Sequence, residues 1–247
     1  MAHSFVQAHD DEAQAFVHFA EARPDGVILL IDTYDTEAAA RKVVELAPVL
    51  HSRGIAIGGV RIDSGDLAAH ARAVRAILDA GGLRDVRIIA SGGLDEWKLR
   101  KLAAQGAPID AFGIGTSLTT SQDAPALDCA YKLVAYAGTP RRKRSEGKHL
   151  WPGAKQVYRQ LGADGRLAGD LLALREEPGR GEPLLQPVMR QGKRLPQPSL
   201  EESRAQTAAG LRGLPDALYD LDQPADYRPA ISAGLLRLAA ELNAQGR

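Results

Sequence analysis

The chain has 247 residues, 45% of them apolar, with 31 Lys and Arg against 31 Asp and Glu. That length buries roughly 70–75% of the unfolded surface, as one large domain or two smaller ones. The formal net charge of zero excludes a global field that draws in nucleic acid or anionic lipid, so the expected partners are small molecules held by local groups.

Cys129 is the single cysteine, which excludes an internal disulfide and fits a reducing cytoplasm. In the apolar stretch 127–133 it reads as a packing residue rather than a nucleophile. No apolar run approaches the roughly 20 residues of a membrane span, and Met1-Ala2-His3-Ser4 lacks the basic and apolar regions of a signal peptide. His3 precedes Ser4-Phe5-Val6, and composition alone reads it as exposed and inert. His9, His18, His51 and His70 follow no metal-ligand spacing and read as helix surface or loop.

From Val27 onward one unit recurs about every 30 residues: a β-branched run, a polar loop, then a helical pattern. The runs are Val27-Ile28-Leu29-Leu30-Ile31, Ile55-Ala56-Ile57 leading to Val60-Arg61-Ile62, Val86-Arg87-Ile88-Ile89-Ala90, and Ala111-Phe112-Gly113-Ile114. Helices are predicted over Thr36–Ser52, Leu67–Ala80 and 95–105, with Leu67, Ala71, Val74 and Leu78 on one face. Thr36, Asp66 and Asp95 are suited to N-caps, and Gly54, Gly81 and Gly106 to the left-handed C-terminal position.

Strands alternating with helices imply a parallel sheet, and near-continuous apolar strands imply that both its faces are covered, as in a doubly wound sheet or a (β/α) barrel. Four units do not close a barrel. A boundary is expected near Asp128, giving regions 1–128 and 129–247. Beyond it, 132–136 and 156–159 read as strands separated by the basic run Arg141-Arg142-Lys143-Arg144. Residues 179–198 read as an extended segment, and helical patterns occupy 200–210 and 231–243.

Ligands of parallel α/β proteins bind at the carboxyl ends of the strands. Asp32-Thr33-Tyr34-Asp35, Arg61-Ile62-Asp63-Ser64-Gly65-Asp66, Ser91-Gly92-Gly93 and Gly113-Ile114-Gly115-Thr116-Ser117 all fall there and open on one rim. The last two suit phosphate, because glycine lets backbone N–H groups approach an anion closely. Asp63 and Asp66 suit sugar hydroxyls or Mg²⁺, which takes oxygen ligands and keeps several waters; Asp66 also reads simply as an N-cap. Arg61 suits a carboxylate, a phosphate or an aromatic face, or a structural pairing with Asp63. The run at Arg141 reads as a solvated face or a phosphate clamp.

Taken together, Ala2-His3-Ser4-Phe5-Val6, Leu30-Ile31-Asp32-Thr33-Tyr34-Asp35-Thr36, residues 59–67, residues 106–116 and Tyr131-Lys132-Leu133-Val134 resemble nicotinate phosphoribosyltransferase in order and spacing. Lys143, Ser145, Lys148, Pro152-Gly153, Lys155 and Arg159 look like that family's basic strand pair, and 183–185 with Val188-Met189 continue the resemblance. It implies joining nicotinate to 5-phosphoribosyl-1-pyrophosphate, giving nicotinate mononucleotide and pyrophosphate with ATP hydrolysis, in NAD salvage. It also implies Mg²⁺, ATP as co-substrate, a homodimer in the cytoplasm, and a partial (β/α) barrel of the type II phosphoribosyltransferase kind followed by a smaller β-containing region.

The resemblance further implies site residues. His3 matches the histidine that ATP phosphorylates. Arg61 and Asp63 match residues gripping the pyridine and ribose, with Ser64 beside them. Ser91-Gly92 and Gly115-Thr116 match the loops holding the 5-phosphate, and Asp32, followed by Tyr34, lies where a carboxylate approaches ribose or metal-bound pyrophosphate.

The family's chains are longer, and their matching histidine lies near the middle, so Met1 is expected to be internal to a longer reading and an N-terminal half to be needed for activity. Two alternatives stay open. One is another phosphate-binding barrel enzyme; the other is a non-catalytic or split-enzyme fragment that binds phosphate or a partner chain.

Overall fold

The four apolar runs form four strands in one parallel sheet. In the computed structural model, which describes residues 1–245 except 128, 146–147, 180 and 224 and only the backbone of 144, 145, 148 and 149, helices α1 (His3–Gln7) and α2 (Glu12–Ala22) come first. Strand β1 (Val27–Leu30), helix α3 (Thr36–Ser52), β2 (Ile57–Ile62), α4 (Leu67–Ala80), β3 (Arg87–Ala90), α5 (Glu96–Ala104), β4 (Ala111–Phe112) and α6 (Thr116–Thr120) follow. The strands lie in the order β1-β2-β3-β4, and every pairing is parallel. Register sets Leu30 beside Arg61 and Arg61 beside Ile89, which brings the ends of β1, β2 and β3 level.

Phe16 of α2, Val43 and Leu50 of α3, and Val74 and Leu78 of α4 bury their side chains against Leu29, Val60, Ile62 and Ile88 of the sheet. Burial of such side chains contributes about 1.5–3 kcal/mol each. The sheet is not evenly covered on both faces as its apolar strands led one to expect: Ile28 is 39% exposed and Phe112 41%.

Local capping departs from expectation in two places. Asp35, not Thr36, caps α3, its Oδ1 accepting the Ala38 amide at 2.7 Å, so Thr36 becomes a buried first helical residue. A carboxylate at a helix N-terminus is favoured by its acceptor strength and by the helix dipole. Gly54 and Gly106 are left-handed as expected, but Gly81 has φ −81° and Gly82 makes the turn at φ +78°. Gly81 is needed for space instead, since a Cβ there would stand 2.4 Å from Val44 Cγ1. Asp66 and Asp95 cap α4 and α5.

The chain divides into two compact units, Met1–Cys129 and Ala130–Arg247. Asp128, where the boundary was expected, lies outside the described residues. The second unit carries hairpins β5 (Ala135–Tyr136) with β6 (Thr139–Pro140) and β7 (Arg144–Ser145) with β8 (Lys148–His149). Then come β9 (Lys155–Leu161), β10 (Leu167–Leu174), β11 (Glu182–Pro183), the pair β12 (Met189–Arg190) and β13 (Lys193–Arg194), α7 (Leu200–Arg212), β14 (Ala230–Ile231) and α8 (Ala233–Ala244). Its main sheet has the order β11-β9-β10-β14, with β14 parallel to β10 and the other pairs antiparallel.

Only Ala135 and Tyr136 of the expected strand over 132–136 pair, and Leu133 is 63% exposed. Ile231 belongs to β14 rather than to the last helix, which starts after its cap Ser232. Glu177 ties that helix to β10, accepting the Leu174 amide at 2.9 Å, the Ser232 hydroxyl at 2.5 Å and the Gly234 amide at 3.0 Å. Cys129 is exposed, so the packing role expected of it is not realised. Among the described residues no helix is long and apolar enough to cross a membrane.

Candidate functional site

Asp32 lies two residues past the end of β1 and its side chain is 1% exposed. Its Oδ2 accepts the Asp63 amide at 2.9 Å and the Ser64 hydroxyl at 2.6 Å, joining the loops after β1 and β2. The other oxygen, Oδ1, is buried without a hydrogen-bond partner. Orphaned buried acceptors carry a desolvation penalty of about 1–3 kcal/mol, a cost a bound ligand or a reoriented donor would relieve.

The His3 ring stands beside that oxygen. Its Nε2 stands 3.9 Å from Asp32 Oδ1 and 3.7 Å from Asp63 Oδ2, while Nδ1 lies 3.2 Å from Thr33 Oγ1. Helix α1 holds the ring there because Val6 is fully buried and the Phe5 ring packs edge-on against Phe19, 6.0 Å between centroids. Two carboxylates at Nε2 favour a proton on that nitrogen, which leaves the Nδ1 lone pair to accept from the Thr33 hydroxyl. His3 is therefore not isolated: its ring stands beside two carboxylates and a hydroxyl.

Asp63 is held from the other side. Its Oδ1 accepts the hydroxyl of Ser91, the residue after β3. Gly92 has φ +91°, and a Cβ there would stand 1.9 Å from the Asp63 carbonyl oxygen, so the Ser91-Gly92 turn is pressed against Asp63 in a way only glycine permits. The loop after β4 continues the rim: Gly113 donates to the Ala90 carbonyl at 2.8 Å, and a Cβ on it would stand 3.2 Å from Ser91 Cβ. Gly115 is the N-terminal boundary of the short α6 and Thr116 its first residue, both exposed.

Arg61 lies at the end of β2, and its Nη2 donates to the Met1 carbonyl at 3.2 Å. The pairing with Asp63 that the sequence allowed is not among its described contacts, so the guanidinium keeps donors for a ligand. Tyr34 is 64% exposed on the loop after β1. Asp66 accepts the Ala68 and Ala69 amides at 3.1 Å each, and the Ala69 amide leads in holding its carboxyl below the usual range, which fits the N-cap reading.

Two contacts at this rim escaped the sequence reading. Thr33 was visible only as a loop residue, and its place beside His3 depends on an approach across 30 positions. His70, read as helix surface, has Nδ1 2.7 Å from Glu37 Oε1. A cleft of about 470 Å³ on the helix side of the rim is lined by Gly65, Asp66, Gly92, Lys98 and Lys101, among others.

In the second unit, Lys155 and Arg159 are engaged within the unit. Lys155 Nζ donates to the Trp151 and Gly153 carbonyls at 2.8 and 2.7 Å, and Arg159 pairs with Asp170 at 3.1 Å. Lys143 is exposed, and the side chains of Ser145 and Lys148 lie outside the described set.

This is an α/β protein in which the ends of the parallel strands bring Arg61, Asp32, Asp63 and glycine turns to one edge, with His3 of α1 set against the two aspartates. No family model matches the chain. A nicotinate phosphoribosyltransferase of Mycobacterium tuberculosis is 46% identical to it over 245 residues, 98% of this chain and 52% of that protein. The crystal structure of human nicotinic acid phosphoribosyltransferase has a TM-score of 0.75 at 32% identity, covering 94% of this chain and 49% of that one. Nicotinate-nucleotide pyrophosphorylase from Pyrococcus furiosus has a TM-score of 0.65 at 28% identity, covering 86% and 53%.

The chain is a relative of the nicotinate phosphoribosyltransferases, and it spans about half the length of the curated relatives it matches.

Proposed function

We propose that this chain is the C-terminal portion of a nicotinate phosphoribosyltransferase and carries most of its reacting groups. The reaction joins nicotinate to 5-phosphoribosyl-1-pyrophosphate and releases nicotinate mononucleotide and pyrophosphate, with ATP hydrolysis, as a step of NAD salvage. The observation that carries this reading is the convergence of His3, Asp32 and Asp63: Nε2 of one ring lies within 3.9 Å of both carboxylates. Four parallel strands in sequential order are compatible with a section of a (β/α) barrel. A homodimer and a cytoplasmic site of action, which the resemblance implies, are parts of the same proposal.

In this mechanism the bond from the anomeric carbon to pyrophosphate breaks, its electron pair leaves with the pyrophosphate, and the nicotinate ring nitrogen forms the new bond. No proton moves. Positive charge developing on the ribose is stabilised by the Asp32 and Asp63 carboxylates, while Arg61 orients the nicotinate carboxylate or ring. Gly92, Gly115 and Thr116 present backbone N–H groups and the Thr116 hydroxyl to the 5-phosphate beside Ser91, whose own hydroxyl is held by Asp63, with Ser64 and Tyr34 lining the approach.

His3 couples the reaction to ATP. Its Nδ1 lone pair attacks the terminal phosphorus, ADP departs, and the Nε2 proton stays against the carboxylates, which stabilise the resulting cationic ring. Hydrolysis of that phosphoramidate accompanies pyrophosphate release.

The donor chemistry fits Mg²⁺: Asp32 Oδ1 is buried without a hydrogen-bond partner, and Asp63 Oδ2 faces the same space. Among the described residues no cluster of three or more candidate ligands forms, so one or two carboxylates would hold the ion and substrate phosphates would complete its shell. Mg²⁺ would neutralise the leaving pyrophosphate.

The test is chromatographic detection of nicotinate mononucleotide from nicotinate, 5-phosphoribosyl-1-pyrophosphate and Mg-ATP. It is run with the chain alone and with the remainder of a relative's length supplied. Product in either form supports the reading. Substrate binding without product in both forms favours a non-catalytic fragment.

A further inference from the structure

The loops after β1 and β2 are joined at two levels. The inner joint is Asp32, which accepts the Asp63 amide and the Ser64 hydroxyl. The outer joint is the pair Glu37 and His70, Oε1 to Nδ1 at 2.7 Å, linking the first turn of α3 to the first turn of α4. Each side chain is 31% exposed, so neither is held by deep burial.

The same imidazole also supports the turn between Asp63 and Asp66. Gly65 has φ +76°, and a Cβ on it would stand 2.7 Å from His70 Nε2 and 3.0 Å from Cδ2. One ring therefore holds α3 through Nδ1 and backs the Ser64-Gly65 turn with its opposite edge. Apolar packing of Ala40 and Val43 with Ala71, Val74 and Leu78 already joins the two helices. The polar pair adds direction rather than bulk cohesion.

We propose that His70 is a positioning residue. By gripping Glu37 while backing Gly65, it fixes the spacing between the loop that carries Asp32 and Thr33 and the loop that carries Asp63. That spacing sets where His3 meets its three partners, two carboxylates at Nε2 and one hydroxyl at Nδ1. The inference rests on reading His3 as a reacting centre. It assigns a role to two residues on helices, outside the four polar loops.

The full chain with ¹⁵N-labelled histidine, alone and with the remainder of a relative's length supplied, separates this inference from the reading on which it rests. His70→Ala is expected to move the His3 ring nitrogen resonances while leaving the far-ultraviolet circular dichroism and the cooperative melt in place. His70→Asn, whose amide N–H takes the place of Nδ1 as donor to Glu37, is expected to restore them, and Glu37→Ala to reproduce the alanine effect. In turnover, His70→Ala is expected to lower kcat about tenfold with little change in KM, as for a small misplacement of reacting groups.

Unchanged His3 resonances in His70→Ala, or an asparagine variant no closer to the parent than alanine, would overturn the proposal. Absence of turnover in the parent would count against the proposed reaction alone, because the His3 resonances decide the positioning role without it.

Discussion

Asp32 accepts the backbone amide of Asp63 at 2.9 Å and thereby turns its second oxygen toward His3, 3.9 Å away. A single carboxylate fixes the turn after β2 and presents at the rim an oxygen without a hydrogen-bond partner. These two tasks respond differently to substitution.

Asp32→Ala leaves the Asp63 amide and the Ser64 hydroxyl without their acceptor and is expected to cost about 2–4 kcal/mol by urea denaturation. Asp32→Asn keeps one oxygen for both donors and removes a buried charge. It is expected to melt at or above the parent temperature while losing about 10²-fold in turnover, a trade typical of groups stored for function. A large loss of stability in the asparagine variant would contradict the division of tasks.

Arg61→Ala is expected to abolish detectable nicotinate mononucleotide formation in the complete enzyme, because the guanidinium at the end of β2 is described in no ion pair that would give it a purely structural task. Its only described hydrogen bond goes to the Met1 carbonyl. Normal turnover in that variant, followed by product chromatography, would remove Arg61 from the site.

Gly92→Ala tests the contact between the loops after β2 and β3. Both the φ of +91° and the 1.9 Å approach of a Cβ to the Asp63 carbonyl oppose any side chain. The expected cost is above about 2 kcal/mol, with Asp63 displaced. Thermal melting with an activity assay reads both effects, and an unperturbed melt would show that the turn can relax.

Glu177 sets a pH dependence in the second unit. The Ser232 hydroxyl first, then the Leu174 and Gly234 amides, hold its carboxyl below the usual glutamate range. A depressed folded value means the stabilisation is complete above the unfolded pKa of about 4.3 and is lost as pH falls through the folded value. Asp170, lowered first by its hydrogen bond from Arg159, acts in the same direction. Urea midpoints followed by Trp151 fluorescence in a Trp97→Phe background are expected to fall on acidification, and Glu177→Gln to flatten that fall.

Much of the first unit was legible because its signals are local. Strand runs, helix periods and the Asp66 and Asp95 caps follow from nearest-neighbour chemistry, and the structure has all of them. Competing local choices were not legible: Asp35 and Thr36 both suit a cap, Gly82 rather than Gly81 turns left-handed, and the space Gly81 leaves is taken by Val44 of another helix. Nor was long-range pairing, as in β14 beside β10 or Glu177 beneath α8. At the rim the residue types could be read, but the meeting of His3 with Thr33, and of His70 with Glu37, is made by tertiary packing.

The most direct test of the account is transfer of the terminal phosphate of ATP to His3. Incubation with Mg-ATP carrying a radioactive terminal phosphate, in the form that gives product, is expected to label the protein with an acid-labile, alkali-stable phosphate that is absent from His3→Gln. Label retained in His3→Gln, or no label in a parent that makes product under ATP stimulation, would contradict the role assigned to the histidine between Asp32 and Asp63.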